Sequence, residues 1–250
     1  MLKKALILIL FLVLGVFFIS VPNAKAQEIE ENVPWKTHIE VSYVSTSGNT
    51  ETESLSGKLE VKKEVQKNRY LVRSNVLYAR NNNEDTANKG ALEGRWERTI
   101  TKRLFGFLTS KYSRDKFSGY KYRVSAGPGM GYDIIKTDKH FLKGLVSVLY
   151  NHDRYSEGFK KSDDYSAGNA GINYVWQILE NLKFKENADY LVSFDDTEKY
   201  FINSETALEV KINKYLSLGL SYIVAYQNYL PKVGAEHVDT TFMTSLIIDF

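Results

Sequence analysis

From Trp35 onward the chain alternates apolar and polar residues with a period of two, and it keeps that period almost to Phe250. In the first run, for example, Ile39 and Val41 fall on one face of a strand while Glu40 falls on the other. A period of two is typical of β-strands with one apolar and one polar face. The pattern therefore predicts an all-β chain.

Several apolar stripes begin or end with aromatic residues and hold small aliphatic residues between them, in a chain with 17 Tyr. A membrane barrel places aromatic side chains at its two interfaces, whereas a soluble barrel has no need of them at strand ends. The polar face carries too many charges of both signs for a soluble core, since each would need a partner or water. We therefore expect a closed antiparallel transmembrane β-barrel of the outer-membrane type, with its apolar face outward.

Counting the alternating runs between turn signals gives about twelve strands. They cover residues 35–46, 50–62, 69–80, 87–100, 103–114, 119–134, 140–152, 163–178, 182–195, 199–212, 215–228 and 237–250. The runs at 103–114 and 163–178 alternate most weakly, and Glu186 falls on a lipid-facing position of its run, which predicts a bulge or a register slip in these places.

The connections differ in length between the two ends of the predicted barrel. Short turns are expected at 63–68, 100–102, 135–139, 179–181 and 212–214, and longer loops at 81–86, 114–118, 153–162, 195–198 and 229–236. Residues 47–49 are expected to form a turn that is short although it lies on the side of the longer loops. Short periplasmic turns and long extracellular loops are typical of outer-membrane barrels.

The opposite face of each strand points into the predicted lumen and holds a network of charges. Its members are Glu40, Arg73, Glu93, Arg95, Arg123, Lys143, Lys185, Asp189, Glu205 and Glu209. Barrels of about eight strands are filled by side chains and those of about sixteen leave an aqueous channel, so a plug and a pore both stay open. Ion pairs across the lumen would narrow it, and we expect a small or closed conduit.

The first residues have the features of a secretory signal: two lysines in 1–4, an apolar run at 5–19 and Ala-Lys-Ala at 24–26. We expect Sec-type export with cleavage near Ala26, which divides the chain into a signal at 1–26, a short periplasmic segment at 27–34 and the barrel at 35–250. An uncleaved anchor is the alternative, although the run is short for a membrane span.

The chain ends in an alternating run with an aromatic last residue. Phe242, Leu246, Ile248 and Phe250 share its apolar face. This is typical of the C-terminal signal read by the barrel-insertion machinery, which together with the export machinery is an expected partner. An ordinary edge strand that ends in Phe by chance is the alternative.

Few residues suggest chemistry. The chain has no Cys, a net charge of +3 without a basic block, and four scattered His, so we predict no cofactor, no metal site and no nucleic-acid partner. A Ser156, His152 and Asp153 set would suggest a surface hydrolase, but neighbours in one loop rarely meet catalytic geometry. Gly127, Gly129 and Gly131 do not form a phosphate loop because no helix follows them. Their expected role is to make room for neighbours such as Arg123 or Arg95, or to allow sharp curvature of the strand.

Polar loop tips suggest two kinds of surface ligand. The acidic side chains that would supply oxygens to calcium are Glu157, Asp163, Asp164, Asp195 and Asp196. The basic side chains that would pair with lipopolysaccharide phosphates are Arg154, Lys160, Lys161 and Lys232. Loop tips are also polar simply because they are wet.

The mature chain resembles the family of salt-induced outer-membrane proteins, bacterial proteins of unknown biochemical function. The resemblance rests on Trp35, on Thr-Ser-Gly-Asn-Thr at 46–50, on Tyr-Ser-Arg-Asp-Lys-Phe at 112–117 with Tyr-Arg at 122–123, on Gly-Pro-Gly-Met-Gly-Tyr at 127–132, and on the aromatic C-terminus. It implies an outer-membrane barrel and a link to salt or envelope stress, and it implies no catalytic residues. We therefore expect a non-enzymatic barrel in contact with outer-membrane lipid and lipopolysaccharide, with a narrow diffusion channel or a surface hydrolase as alternatives.

Overall fold

The computed structural model describes residues 33–46, 52–156, 161–231 and 235–250. The expected signal at 1–26 and the turn at 47–49 lie outside these ranges. Twelve strands make up the described chain: β1 (Lys36–Thr46), β2 (Thr52–Val65), β3 (Asn68–Asn81), β4 (Glu84–Thr99), β5 (Leu104–Asp115), β6 (Tyr120–Lys136), β7 (His140–Tyr155), β8 (Ser162–Leu179), β9 (Leu182–Ser193), β10 (Tyr200–Lys211), β11 (Leu216–Gln227) and β12 (Val238–Asp249).

The strands form a closed antiparallel barrel in which each strand pairs with its neighbours in the sequence and β1 pairs with β12. Closure is made at the chain ends, where the Thr37 N–H donates to the Phe250 carbonyl at 2.7 Å and the Phe250 N–H donates back to the Thr37 carbonyl at 3.0 Å. The predicted fold and strand number are confirmed. Within the described ranges no helix is long and apolar enough to cross a membrane.

The apolar stripes face outward, as predicted. Exposed aromatic side chains lie near the two ends of the strands: Trp35, Tyr70, Trp96, Tyr132, Trp176, Tyr215 and Phe250 at the end that holds the closure, and Tyr43, Tyr112, Tyr150 and Tyr190 at the other. In the second group, Tyr112 stacks on the ring of the neighbouring Tyr122, with centroids 6.1 Å apart. Aliphatic side chains such as Val146 and Leu218 fill the band between the two groups.

The connections at the two ends of the barrel differ less in length than the sequence predicts. At the end that holds the closure they span two to four residues, and we call this end periplasmic. At the opposite, extracellular end the expected loop at 81–86 is only the two-residue turn Asn82 and Asn83, both with positive φ. That conformation suits the twist of a hairpin and is tolerated by Asn. The loop predicted at 153–162 is also shorter, because β7 continues to Tyr155.

The predicted bulge or slip at Glu186 is wrong. Glu186 keeps a continuous register with Tyr174 and Thr206, and it stays on the outer face. Its carboxylate accepts hydrogen bonds from the Ser204 hydroxyl at 2.7 Å and the Thr206 hydroxyl at 2.5 Å. Two neighbouring hydroxyls thus stabilise the Glu186 carboxylate on the outer face, and no change of register is needed.

Glycines on the lumen face of β6 make room for aromatic rings of β5. A Cβ atom at Gly129 would overlap the ring of Phe107, and one at Gly131 would overlap the ring of Phe105. The packing role predicted for these glycines fits the structure, but the neighbours are phenylalanines and not arginines.

Candidate functional site

The ten charged residues predicted to face the lumen all lie on the inner face of the barrel. Lys58 of β2 forms an ion pair with Glu205 of β10, two strands that are not neighbours in the sheet. Such a contact must cross the interior, and alternation along the paired strands places the other nine residues on the same face.

Most of these charges form what we call the charge ladder, a series of ion pairs along the inner wall. Its members are Glu40, Lys58, Glu60, Arg73, Glu93, Arg95, Glu97, Lys185, Glu205 and Glu209. Arg73 lies between two carboxylates, at 2.7 Å from Glu60 and 3.8 Å from Glu93. Its side chain remains 42% exposed, so this part of the wall is in contact with water.

One cation of the ladder, Arg95, lies against an aromatic ring. The Arg95 guanidinium donates to Glu93 at 2.7 Å and lies over the Phe107 ring, 4.9 Å from its centroid. Cations are attracted to the faces of aromatic rings, and burial strengthens that attraction. Glu97, which the sequence analysis did not select, is buried here and accepts from Arg69 at 2.8 Å.

Two predicted members of the network make other contacts. The Lys143 ammonium lies over the Phe105 ring at 4.8 Å from the centroid. Asp189 accepts a hydrogen bond from the Asn203 side-chain amide at 3.0 Å. The structure therefore separates these two charges from the ion pairs of the ladder.

A second group, which we call the mouth cluster, lies at the extracellular end of the lumen. Its members are Tyr120, Arg123, Asp153, Tyr155, Asp163, Tyr165, Lys199 and Phe201. Arg123 donates to Asp153 at 3.1 Å, and its guanidinium lies 4.4 Å from the Tyr120 centroid and 4.0 Å from the Phe201 centroid. Arg123 thus joins an ion pair to two aromatic faces.

Lys199 closes the mouth cluster. It precedes β10, and its ammonium lies 2.9 Å from Asp153, 3.1 Å from Asp163 and 3.6 Å from the Tyr165 centroid. The Lys199 side chain is 3% exposed and that of Asp153 is 1% exposed. Lys199 was not among the predicted lumen residues, because it lies at the border of a strand and a loop, where alternation does not assign a face.

The two groups offer different chemistry. The ladder combines partly hydrated charges, such as Arg73 and Lys58, with the buried carboxylates of Glu97 and Glu209. Its hydrated members can exchange partners with ions or polar solutes. The mouth cluster pairs its two cations with two carboxylates and covers them with rings, so little of it faces water. The first arrangement can line a passage, whereas the second obstructs one.

The set suggested for a surface hydrolase is not assembled. His152 lies on the outer face of β7, where its Nδ1 is 2.8 Å from Asp164, whereas Asp153 faces the lumen and contacts Arg123. Successive residues of a strand point to opposite faces, so His152 and Asp153 cannot act on the same group. Ser156 follows β7 and donates its backbone N–H to the Gly119 carbonyl.

The suggested calcium ligands are also dispersed. Asp163 binds Lys199, Asp164 binds His152, and Asp195 accepts from the Ser166 N–H at 3.2 Å. The described residues contain no group of three or more His, Cys, Asp or Glu that could hold a metal ion. Asp196 caps its own loop by accepting from the Glu198 N–H.

The basic residues suggested for lipopolysaccharide lie partly beyond the described chain. Arg154 is at the extracellular end of β7, and Lys161 is exposed just before β8. Glu157, Lys160 and Lys232 lie outside the described residues. Binding of lipopolysaccharide phosphates stays a prediction.

A family profile described as "Protein of unknown function, DUF481" matches residues 39–250. The "Uncharacterized protein YdiY" of Escherichia coli (strain K12) is 25% identical over 213 residues, which cover 85% of this chain and 82% of that protein. These findings confirm the family resemblance drawn from the sequence.

Solved structures with a similar fold include an outer-membrane channel from Pseudomonas putida F1, with a TM-score of 0.51, 8% identity, and coverage of 91% of this chain and 100% of that chain. The NanC porin gives a TM-score of 0.46 at 10% identity, covering 86% of this chain and 98% of that one. At such low identity the first likeness supports the outer-membrane barrel fold and nothing finer.

Proposed function

Because the chain belongs to the DUF481 family of proteins of unknown function and folds as an outer-membrane barrel, we propose that it is a narrow conduit for small hydrophilic solutes in the outer membrane. The observation that carries this proposal is the Lys58–Glu205 ion pair, which joins β2 to β10 through the interior and limits the width of the lumen. Lys58 also lies 3.7 Å from Glu40, so three charges meet at this constriction.

The hydration of the ladder supports a passage rather than a filled core. Arg73 and Lys62 keep side chains that are 42% and 40% exposed although both face the interior. A barrel of twelve strands has more interior room than one of eight, and charges of both signs favour small polar solutes without strong selection for one sign.

Single-channel conductance of the refolded protein in planar bilayers tests the proposal. We expect small currents from the wild type and severalfold larger currents from the Lys58→Ala, Glu205→Ala double variant, because the cross-lumen pair is gone. The matched control is Lys116→Ala with Asp85→Ala, which removes one cation and one carboxylate from a pair at the extracellular end. Silence of both the wild type and the lumen variant would contradict a conduit.

The mouth cluster favours a second candidate, a barrel closed at its extracellular end. Lys199 holds Asp153 and Asp163 from the loop before β10, and Tyr155 also accepts its hydrogen bond at 3.2 Å. If this cluster closes the lumen, the wild type is silent and Lys199→Ala conducts. A conducting wild type that Lys199→Ala leaves unchanged would favour the open conduit.

We further propose that the protein reaches the outer membrane by Sec-type export with cleavage after Ala26, and that it acts in the response to salt or envelope stress. The first part rests on the signal pattern of residues 1–26, and the second on the family resemblance. Mass spectrometry of the protein from outer-membrane fractions tests cleavage. Growth of a deletion strain at raised salt concentration tests the link to stress, and growth equal to that of the parent would contradict it.

A further inference from the structure

The seam between β1 and β12 is paired over its periplasmic part only. Matched residues run from His38 with Asp249 to Val41 with Leu246, beside the two hydrogen bonds at Phe250. Of the other neighbouring strands, even the least extensively matched, β5 and β6, share ten residue pairs. Beyond Val41 and Leu246, the described residues of β1 pair with β2 alone and those of β12 pair with β11 alone.

The unpaired part of the seam lies at the level of the outer leaflet. A strand rises about 3.4 Å per residue and tilts by roughly 40° in such barrels, which places Ser245 about 13 Å above Phe250 and Ser42 about 18 Å above Trp35. The apolar band of an outer-membrane barrel is about 25 Å tall. The unpaired part of the seam therefore begins near the middle of the membrane and continues toward its outer surface.

Open strand edges are costly in hydrocarbon because their N–H and C=O groups find no partner there. Such edges are tolerated where water or another molecule reaches them. The gap between β1 and β12 is thus a place where the contents of the lumen and the outer leaflet meet.

The lumen wall beside the gap differs from the rest of the interior. In β11 and β12, two fully described strands, the inward side chains from Ser217 to Ala225 and from Thr241 to Ile247 carry no charge, and Asp239 beside Ala225 is the first charge beyond them toward the extracellular end. On the other side of the gap, Val44 continues the inward alternation of Glu40 and Ser42 and yet is 51% exposed. The wall beside the gap is therefore made of small and apolar side chains. Ser217, Ser221, Met243, Ser245 and Ile247 are buried in it, whereas Val44 is exposed.

We propose that the gap between β1 and β12 is a lateral portal that admits the hydrocarbon chain of a single-chain amphiphile from the outer leaflet. The uncharged wall suits a hydrocarbon chain, and the lipid of the outer leaflet is the medium that contacts the gap. Water from the lumen can hydrate the open edges beside such a chain. A β-strand of a second protein would instead pair with these edges, and the experiment separates the two occupants. The portal goes beyond the axial conduit and does not require it to conduct.

Disulfide locking tests the portal, since the chain has no cysteine of its own. Ser42→Cys with Ser245→Cys places two thiols four residues beyond the His38–Asp249 pair on each strand, so their oxidation closes the gap. Ser42→Cys with Ser56→Cys is the matched control, because it joins β1 to its paired neighbour β2 and leaves the gap free.

Hexadecanoic acid with a diazirine at its chain end is the probe, mixed into phosphatidylcholine vesicles that hold the refolded protein. Illumination followed by mass spectrometry maps the labelled residues. We expect labelling at the lumen-facing Val44 and Met243 in the wild type and the control, and a severalfold loss in the oxidised lock that reduction restores. Phe242, which is 68% exposed on the outer face, should be labelled in every variant.

Three outcomes would overturn the portal. The first is a wild type labelled at Phe242 but not at Val44 or Met243, and the second is labelling of these two residues that the oxidised lock leaves unchanged. The third is a disulfide between Ser42→Cys of one copy and Ser245→Cys of a second copy, which identifies a strand of another protein as the occupant of the gap. If the two cysteines do not form the disulfide, labelling of the wild type alone shows whether the probe enters the lumen.

Discussion

The mouth cluster and the charge ladder use the same residue types inside one lumen but in opposite ways. In the mouth cluster, Asp153 and Lys199 are 1% and 3% exposed and lie against aromatic rings. In the ladder, Arg73 is 42% exposed and alternates with carboxylates of neighbouring strands. The rings make the difference, because they exclude the water that would otherwise screen each charge. The mouth cluster behaves as a packed core. The ladder is hydrated around Arg73 and buries only Glu97 and Glu209.

The largest effect should come from Asp153→Ala. This change leaves the buried Arg123 and Lys199 with too little negative charge, and the loss of one partner of a buried ion pair costs about 3–5 kcal/mol. Urea unfolding of the protein in lipid vesicles measures the free energy of unfolding. Asp164→Ala is the control, since Asp164 is exposed on the outer face and should be replaced without measurable loss. Equal effects of the two changes would show that the mouth cluster is not a core.

The next effect tests whether the periplasmic half also depends on packing. Gly131→Ala would drive a Cβ atom into the ring of Phe105, and overpacking of this kind costs about 1–3 kcal/mol. Gly94→Ala is the control, because nothing lies within 4 Å of its added Cβ. Thermal unfolding followed by electrophoretic mobility compares the variants. If Gly131→Ala is as stable as Gly94→Ala, the added Cβ atom is accommodated without cost, and the interior near the ladder is not closely packed.

A smaller effect should distinguish the ion pairs themselves. In a double-mutant cycle, the coupling between Lys58 and Glu205 should be about 1 kcal/mol or less, because both side chains are partly hydrated. It should fall further as salt screens the charges, whereas the Arg123–Asp153 coupling should be larger and nearly constant. Unfolding at low and high salt concentration measures both. A Lys58–Glu205 coupling that resists salt would mean that the ladder is as dry as the mouth cluster.

The smallest effect sets the baseline for pairs that face open water. Lys116 and Asp85 join the extracellular ends of two strands at 2.9 Å, and the Lys116 side chain is 51% exposed. Lys116→Ala should leave the free energy of unfolding within experimental error in urea titrations. A measurable loss of stability would mean that this exposed pair contributes as much as the pairs in the lumen, and exposure to water would then not explain the difference between the pairs.

Alternation was enough to predict which residues face the lumen but not how they meet. The ten predicted lumen charges lie on the inner face, since a strand has only two faces and charge is disfavoured on the face that meets lipid, where Glu186 is an exception held by two hydroxyls. The partners of Arg123 and Lys58 were not predictable, because the contacts of Arg123 with Phe201 and of Lys58 with Glu205 cross the interior between distant strands. The role of Lys199 was not predicted at all, because this residue lies where a loop meets a strand.

The sequence by itself determined the barrel, its strand number and its inward and outward faces, because these follow from a local period of two and from the exclusion of charge from lipid. Only the tertiary structure decided which half of the lumen is dry, where β1 and β12 part, and how Glu186 is accommodated on the outer wall. Those features depend on register and closure, which join residues far apart in the chain and leave no periodic trace in it.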